Sequence, residues 1–301
     1  MCIRDRMRIK TVKDSRSLTL IFPLPATQKY YRSRPLNMLG FLVGHEGKGS
    51  LLSLLKEEGL ASGLSAGGGD STSSYTSFNI NIQLTPKGIK RYTKVIERTF
   101  QYLRLLREKS LPRYVYEEVR RMAEIDYRFA EKTGGTRLVN MFSLLMQIYP
   151  LRSVESTPFL ISEYRPRLFD SMLFRLIPEN MLALLAAKDL ETDQTEKYYG
   201  TEYAYLENRA DLIKKWKKVK SHPKLSLPEA NPFLPESLEV LPFSGTLSLS
   251  YQSLAGLKRE RLDAELMQKL EEQAGQSFVD LDEICLLYTS DAADEGLGVD
   301  L

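Results

Sequence analysis

Residues 76–84, TSFNINIQL, set apolar Phe78, Ile80, Ile82 and Leu84 against polar Asn79, Asn81 and Gln83 in strict alternation. A period of two predicts a strand with one dry face and one wet face. Residues 17–24, SLTLIFPL, are apolar and β-branched and stop at Pro23 and Pro25, which predicts a buried strand. Residues 60–66 read as a further strand, and Gly67-Gly68-Gly69-Asp70 as the turn after it. The run 181–187, MLALLAA, predicts another strand.

Helical periodicity takes over elsewhere. Leu36 to Val43 and Ser50 to Glu58 form two pieces on either side of a glycine-rich break, with Ser50 as the N-cap of the second and Gly59 after its end. Thr85-Pro86 opens a helix that runs to Lys109, with Ile89, Tyr92, Ile96, Phe100 and Leu103 on its apolar side. A second long helix starts near Arg113 and carries Val115, Val119, Met122, Ile125 and Phe129 as its buried stripe. Gly134-Gly135 ends it, and a third runs from Thr136 to Ile148. Residues 163–177 and 206–219 read as helices, and so do 258–272. Five prolines (Pro223, Pro228, Pro232, Pro235, Pro242) mark an extended linker between Ser221 and Pro242. The order of elements predicts an α+β fold, with helices stacked on a mostly antiparallel sheet.

Composition narrows the picture modestly. The chain is 43% hydrophobic and 27% charged, so it can bury a sizeable core. Its 42 basic and 39 acidic residues leave a formal charge of +3, too balanced to argue for nucleic acid or an anionic membrane as a partner. No apolar run approaches the ~18 residues of a membrane helix. MCIRDR at 1–6 and CLLYTSDAADE at 285–295 resemble the two readings of a transposon adaptor used in sequencing libraries. On that expectation 1–6 and 285–301 are foreign, and the authentic sequence is 7–284. Cys2 and Cys285 both fall outside it, which removes disulfides and thiolate metal sites from the remainder.

No complete reaction centre is visible. His45-Glu46 is followed by Gly47, Lys48 and Gly49, so H-E-x-x-H lacks its second histidine, and the inverted H-x-x-E-H fails too. The other histidine, His222, lies in the proline-rich segment, short of the three ligands a catalytic zinc needs. GHEGKGS places Lys48 before Gly49 rather than after it, so it is not a phosphate loop. There is no G-x-S-x-G nucleophile turn. The pairs Glu57-Glu58 and Glu117-Glu118 read as solvated helix faces, as does the run Lys214, Lys215, Lys217, Lys218 and Lys220, which suits a helix C-terminus.

Longer strings carry more. FPLPATQKYYRSRPLNMLGFLVGHEGKGSLLSLLKEEGLASGLSAGGG, FNINIQLTPKGIKRYTKVIERTFQYLRLLR, TEKYYGTEY (195–203) and FLPESLEVLP (233–242) occur in this order. Together they resemble the second domain of the insulinase/pitrilysin-type zinc metallopeptidases, over about residues 15–243. The resemblance implies a clamshell of four related α+β domains in two halves, enclosing a peptide or small-protein substrate. Zinc would sit in a first domain, on H-x-x-E-H and a distal glutamate, and none in this chain. Residues 7–220 would then be the second, non-zinc domain, 221–246 the inter-half linker, and 247–284 the start of the third.

The resemblance also implies a substrate-binding role for Gly44, Glu46, Leu64, Ser65 and Ala66, which would hold the substrate's N-terminus far from the zinc. Ala66 stands where a glycine is common. The physics is sound: a sheet edge offers free N–H and C=O groups to an extended peptide, and a carboxylate can pair with its α-ammonium. Glu46 has a second reading as a cap for the helix that begins at Gly49. Catalytic and metal-ligating residues are expected to be absent, and the chain alone inactive. Partners are peptides, with neither nucleic acid nor membrane, and an oligomer is left open. The compartment is open between cytoplasm and periplasm for a soluble protein. Two competing readings are a non-catalytic structural or peptide-binding relative of the family, and a free-standing peptide-binding module.

Overall fold

The computed structural model describes residues 6–131, 134–206, 210–235 and 237–239. The strands are β1 (Arg6–Lys10), β2 (Ser17–Pro25), β3 (Ala61–Ser71), β4 (Tyr75–Leu84), β5 (Leu182–Ala187), β6 (Gln194–Thr195) and β7 (Glu202–Leu206). The helices are α1 (Pro35–Gly44), α2 (Leu51–Glu57), α3 (Pro86–Lys90), α4 (Tyr92–Lys109), α5 (Arg113–Arg128), α6 (Gly135–Leu145), α7 (Pro166–Leu173) and α8 (Ala210–Lys217). The strands form one seven-stranded sheet in the order β3-β4-β2-β5-β1-β7-β6. Every pairing is antiparallel except β1 with β5. The α+β, mostly antiparallel expectation therefore holds. All these elements belong to one compact unit.

One face of the sheet carries the helices. Leu18, Leu20, Phe22 and Leu24 of β2 alternate inward, and so do Phe78, Ile80, Ile82 and Leu84 of β4. Against them pack Leu39, Leu42 and Val43 of α1, Leu51, Leu52 and Leu55 of α2, and Ile96, Phe100 and Leu103 of α4, all in one buried cluster. Phe100 meets Phe22 edge-on at 6.3 Å and stacks on buried Trp216 at 6.3 Å, tying α8 to the sheet through α4. Burying each such side chain stabilises the fold by roughly 1.5–3 kcal/mol. Local capping agrees with the sequence. Ser50 Oγ accepts from Ser53 N at 3.0 Å, and Thr85 Oγ1 accepts from Gly88 N at 2.9 Å.

Several expectations need correction. Gly67, Gly68 and Gly69 form no turn, because β3 continues through them to Ser71 and the reversal falls at 72–74. Glycine costs a strand backbone entropy, but pairing with Phe78 and Asn79 of β4 overrides it. The helix from Pro86 breaks at Arg91. The stripe on α5 is fully buried only at its start: Val115 is covered and Val119 packs partly buried against the core, whereas Met122 and Phe129 are exposed. In each acidic pair one member is held rather than solvated. Glu118 is buried and accepts from Asn231 N, and Glu58 accepts from Arg98. Within the lysine run, Lys215 pairs with Glu97 and Lys217 with Glu179, both at 2.7 Å.

β1 and β7 have no counterpart among the sequence expectations. β1 starts at Arg6, inside the stretch that resembles adaptor sequence. The proline-rich segment lacks helix and strand over 219–235 and is nevertheless tied down: Leu225 is buried and Tyr114 donates to Pro228 O at 2.6 Å. The helix expected at 258–272 lies outside the described residues.

Candidate functional site

The sheet ends at β3, whose outer edge has no strand partner among the described residues. Edge strands normally carry lysine, proline or a bulge that blocks further pairing. The stretch Leu64–Asp70, LSAGGGD, has neither lysine nor proline, and its pairing with β4 runs in regular register from Gly63 to Gly68, the shifts falling between Ala61 and Gly63 and between Gly68 and Ser71. The result is a long strand edge with little side-chain obstruction.

Helix α1 lies against this strand. Gly40 and Gly44, four residues apart, share one helix face. A Cβ on Gly40 would stand 2.9 Å from Ala66 O, closer than real Cβ atoms come, and one on Gly44 would stand 3.6 Å from Ala66 N. Glycine at 40 is thus what lets the helix backbone touch the strand backbone. Sequence reasoning passed over Gly40, although G-x-x-x-G was legible as a close-packing signal.

The five expected site residues divide. Gly44 and Ala66 are in contact. Leu64 pairs with Ile82 and is buried among the helices, so it offers a ligand only its backbone. Ser65 pairs with Asn81, turns to the opposite face, and is exposed. Glu46 lies just past the end of α1 with its side chain 65% exposed, its carboxylate facing Lys56 Nζ at 3.7 Å. The cap of α2 is filled by Ser50, not by Glu46. An exposed pair at that distance contributes little, about 0–1 kcal/mol, so the carboxylate can be recruited by another cation at small cost.

Two features hold the loop between α1 and α2. Gly49 has φ +80, and its would-be Cβ stands 2.0 Å from Ser226 Oγ. The carbonyl of Gly49 accepts from Ser226 N at 2.9 Å, so the proline-rich segment braces the loop that carries Glu46. Beneath the start of β3, Glu58 is bound by Arg98 Nε at 3.0 Å and by Lys94 Nζ at 3.4 Å. Burial alone would raise the Glu58 carboxyl, but the hydrogen bonds and charge of Arg98, with Lys94, outweigh it and hold the group below its usual value. His222 lies below its ordinary range through burial, reinforced by the charge of Arg98.

Zinc does not fit here. Among the described residues no three or more His, Cys, Asp or Glu side chains converge as a metal site. The His45 ring lies beside Phe41, its centroid 6.4 Å away, and close to Gly47, while Glu46 faces Lys56. Among the described residues no helix is long and apolar enough to cross a membrane.

Comparison with known proteins places this sheet among known folds. Residues 3–122 match the model "Peptidase M16 inactive domain", and 127–254 match "Middle or third domain of peptidase_M16". The join falls within α5, and strands from both matched stretches enter the one sheet. The chain is 35% identical to human insulin-degrading enzyme over 242 residues, covering 80% of this chain and 24% of that protein. It is 31% identical to human nardilysin over 234 residues, covering 75% and 20% respectively. The crystal structure of pitrilysin superposes with a TM-score of 0.72 at 22% identity, over 78% of this chain and 25% of that one. The chain thus spans about a quarter of the length of these relatives. With two domain models of a single family matched in tandem along it, this chain belongs to the M16 peptidases.

Proposed function

We propose that this chain is the part of a zinc metalloendopeptidase that walls the substrate chamber and holds the substrate's N-terminus, the zinc being bound on a separate first domain. The outer edge of β3, which has no strand partner among the described residues, together with Gly44 against Ala66 and the exposed Glu46 carboxylate two residues further on, is the observation that carries this reading. An extended peptide adds to the edge through main-chain hydrogen bonds at Leu64, Ser65 and Ala66. Its α-ammonium takes the place of Lys56 beside the Glu46 carboxylate, a charge-assisted contact that sets the register. Gly44 keeps the helix end low enough for the peptide backbone to pass. On the same reading, 7–220 is the second domain, 221–246 the linker between halves, and 247–284 the start of a third domain. Residues 1–6 and 285–301 are adaptor sequence, which the uninterrupted gene would reveal.

Binding of short peptides to the intact chain tests the anchor. A peptide with a free N-terminus is expected to bind about tenfold more tightly than its N-acetylated form, close to 1.4 kcal/mol. Glu46→Gln should erase that difference. Equal binding of the two peptides to the unaltered chain would remove Glu46 from the role. A non-catalytic relative would share this behaviour, and an upstream H-x-x-E-H in the full gene separates the two readings.

A further inference from the structure

A second feature lies at the other end of α1 and does not depend on the peptide-anchoring reading. A cavity of about 240 Å³ opens there, lined among others by Gln28, Tyr31, Arg34, Asn37, Ser71 and Tyr149. Its lining contains one formal charge, the guanidinium of Arg34, and no carboxylate.

Arg34 is held rather than waving in solvent. Its Nε donates to Tyr31 O at 3.2 Å and its Nη2 to Thr157 O at 2.8 Å, both backbone carbonyls. A guanidinium has five N–H groups, so most of its donor capacity remains. No carboxylate pairs with it among the described residues. The neighbouring Arg32 is treated differently, since it pairs with Glu163 at 3.6 Å, and Glu163 is shared with Arg165. Burial pulls the Arg34 pKa down and the nearby Tyr149 pulls it up, as expected for a partly desolvated cation without a counter-ion.

The rest of the cavity is donor-rich. The hydroxyls of Tyr31 and Tyr149 and the side-chain amides of Gln28 and Asn37 have no hydrogen-bond partner among the described residues. Tyr31 and Tyr149 meet edge-on at 5.6 Å, which fixes both rings at the rim. Arg34 also has a left-handed backbone, φ 40 and ψ 62, directly before Pro35. A non-glycine residue held there is strained, and such strain is retained where the surroundings demand one placement of the side chain. It is the N-cap of α1 and makes no side-chain cap bond, so the positive end of the helix faces the same region.

We propose that this cavity is an oxyanion-binding site, in which Arg34 receives a carboxylate or phosphate group and the Tyr149 hydroxyl and the Asn37 amide complete its hydrogen bonds. Both anions offer planar or tetrahedral oxygens to the guanidinium fork, and the cavity volume admits either group with accompanying water. The source is a free ion or a side chain on a bound peptide, and the two separate by experiment.

Calorimetric titration of the intact chain at fixed ionic strength provides the test, with inorganic phosphate, acetate and an N-acetylated, amidated tripeptide containing aspartate as probes and chloride as the reference. Saturable binding of at least one oxyanion is expected where chloride gives none. The tripeptide binding alone assigns the site to peptide carboxylates, and phosphate binding alone assigns it to the free ion. Arg34→Gln should weaken binding at least tenfold. Should that variant fold poorly, Tyr149→Phe, which keeps the ring packing, should weaken it about threefold with an unchanged circular dichroism spectrum. No binding beyond chloride, or unchanged binding in Tyr149→Phe together with a folded Arg34→Gln, would overturn the proposal. N-acetylation blocks the ammonium contact at Glu46, so failure here and failure of the anchor are read separately.

Discussion

The two edges of this sheet are built on opposite principles. β6 is two residues long, Gln194–Thr195, and its hairpin partner β7 turns back at Gly200 with φ +67. So short an edge offers little to pair with, which is one of the standard protections against unwanted strand addition. β3 is eleven residues long and glycine-rich, and α1 lies close against its backbone. A protein that blunts one edge and leaves the other long has not simply failed to protect itself. The contrast teaches that edge openness is a property to be explained residue by residue, and here Gly40, Gly44 and the run 67–69 explain it.

Substitutions can break or sharpen the contrast. The largest effect is expected at Gly40. Gly40→Leu puts a side chain into Ala66 O, lifts α1 from β3, and should cost about 3 kcal/mol or more in urea denaturation, at the upper end for overpacking. Arg98→Met comes next, because it frees Glu58 beneath the start of the open strand, and should cost about 1–3 kcal/mol at pH 7. Its pH dependence has a definite sign. The folded Glu58 pKa is depressed, so its stabilisation is present above the unfolded value of about 4.3 and is lost as pH falls through the folded value. The gap between Arg98→Met and the unaltered chain should therefore narrow as pH drops below about 4, measured by thermal melts across that range.

A smaller effect is expected from Lys56→Met. Removing the cation that faces Glu46 should tighten binding of peptides with free N-termini two- to threefold, about 0.5 kcal/mol, in the same titration. The smallest belongs to the blunt edge: Gln194→Val should change stability by less than about 0.5 kcal/mol and leave peptide binding untouched. A large loss of peptide binding in Gln194→Val would erase the distinction between the edges.

Legibility followed burial. β2, β4 and β5 were readable because their inward faces are apolar at period two or as a short run. β1 was not, because its pattern is inverted. Arg6 and Arg8 pair with Ala183 and Leu185 on the helix-bearing face, while Met7 and Ile9 point the other way. β7 was hidden for a related reason, with Tyr205 exposed on the face free of helices. The α5 stripe continues past Val115 by periodicity alone, and periodicity does not say where the covering element stops. At the candidate site, Gly44, Glu46 and the 64–66 strand came from a family resemblance. The contact of Gly40 with Ala66 came only from the fold.

The amino-acid sequence by itself determined the caps at Ser50 and Thr85, the apolar faces of β2, β4 and α4, and the lack of a complete zinc motif. Each is a local matter of spacing and side-chain chemistry. Tertiary structure alone decided that three successive glycines extend a strand rather than turn. It also decided that, among the described residues, β3 is an outer edge and Arg34 heads a cavity without a counter-ion, and that Ser226 braces the loop bearing Glu46. These depend on residues distant in the chain, and pairing and desolvation between such residues outweigh the local preferences that a linear reading can see.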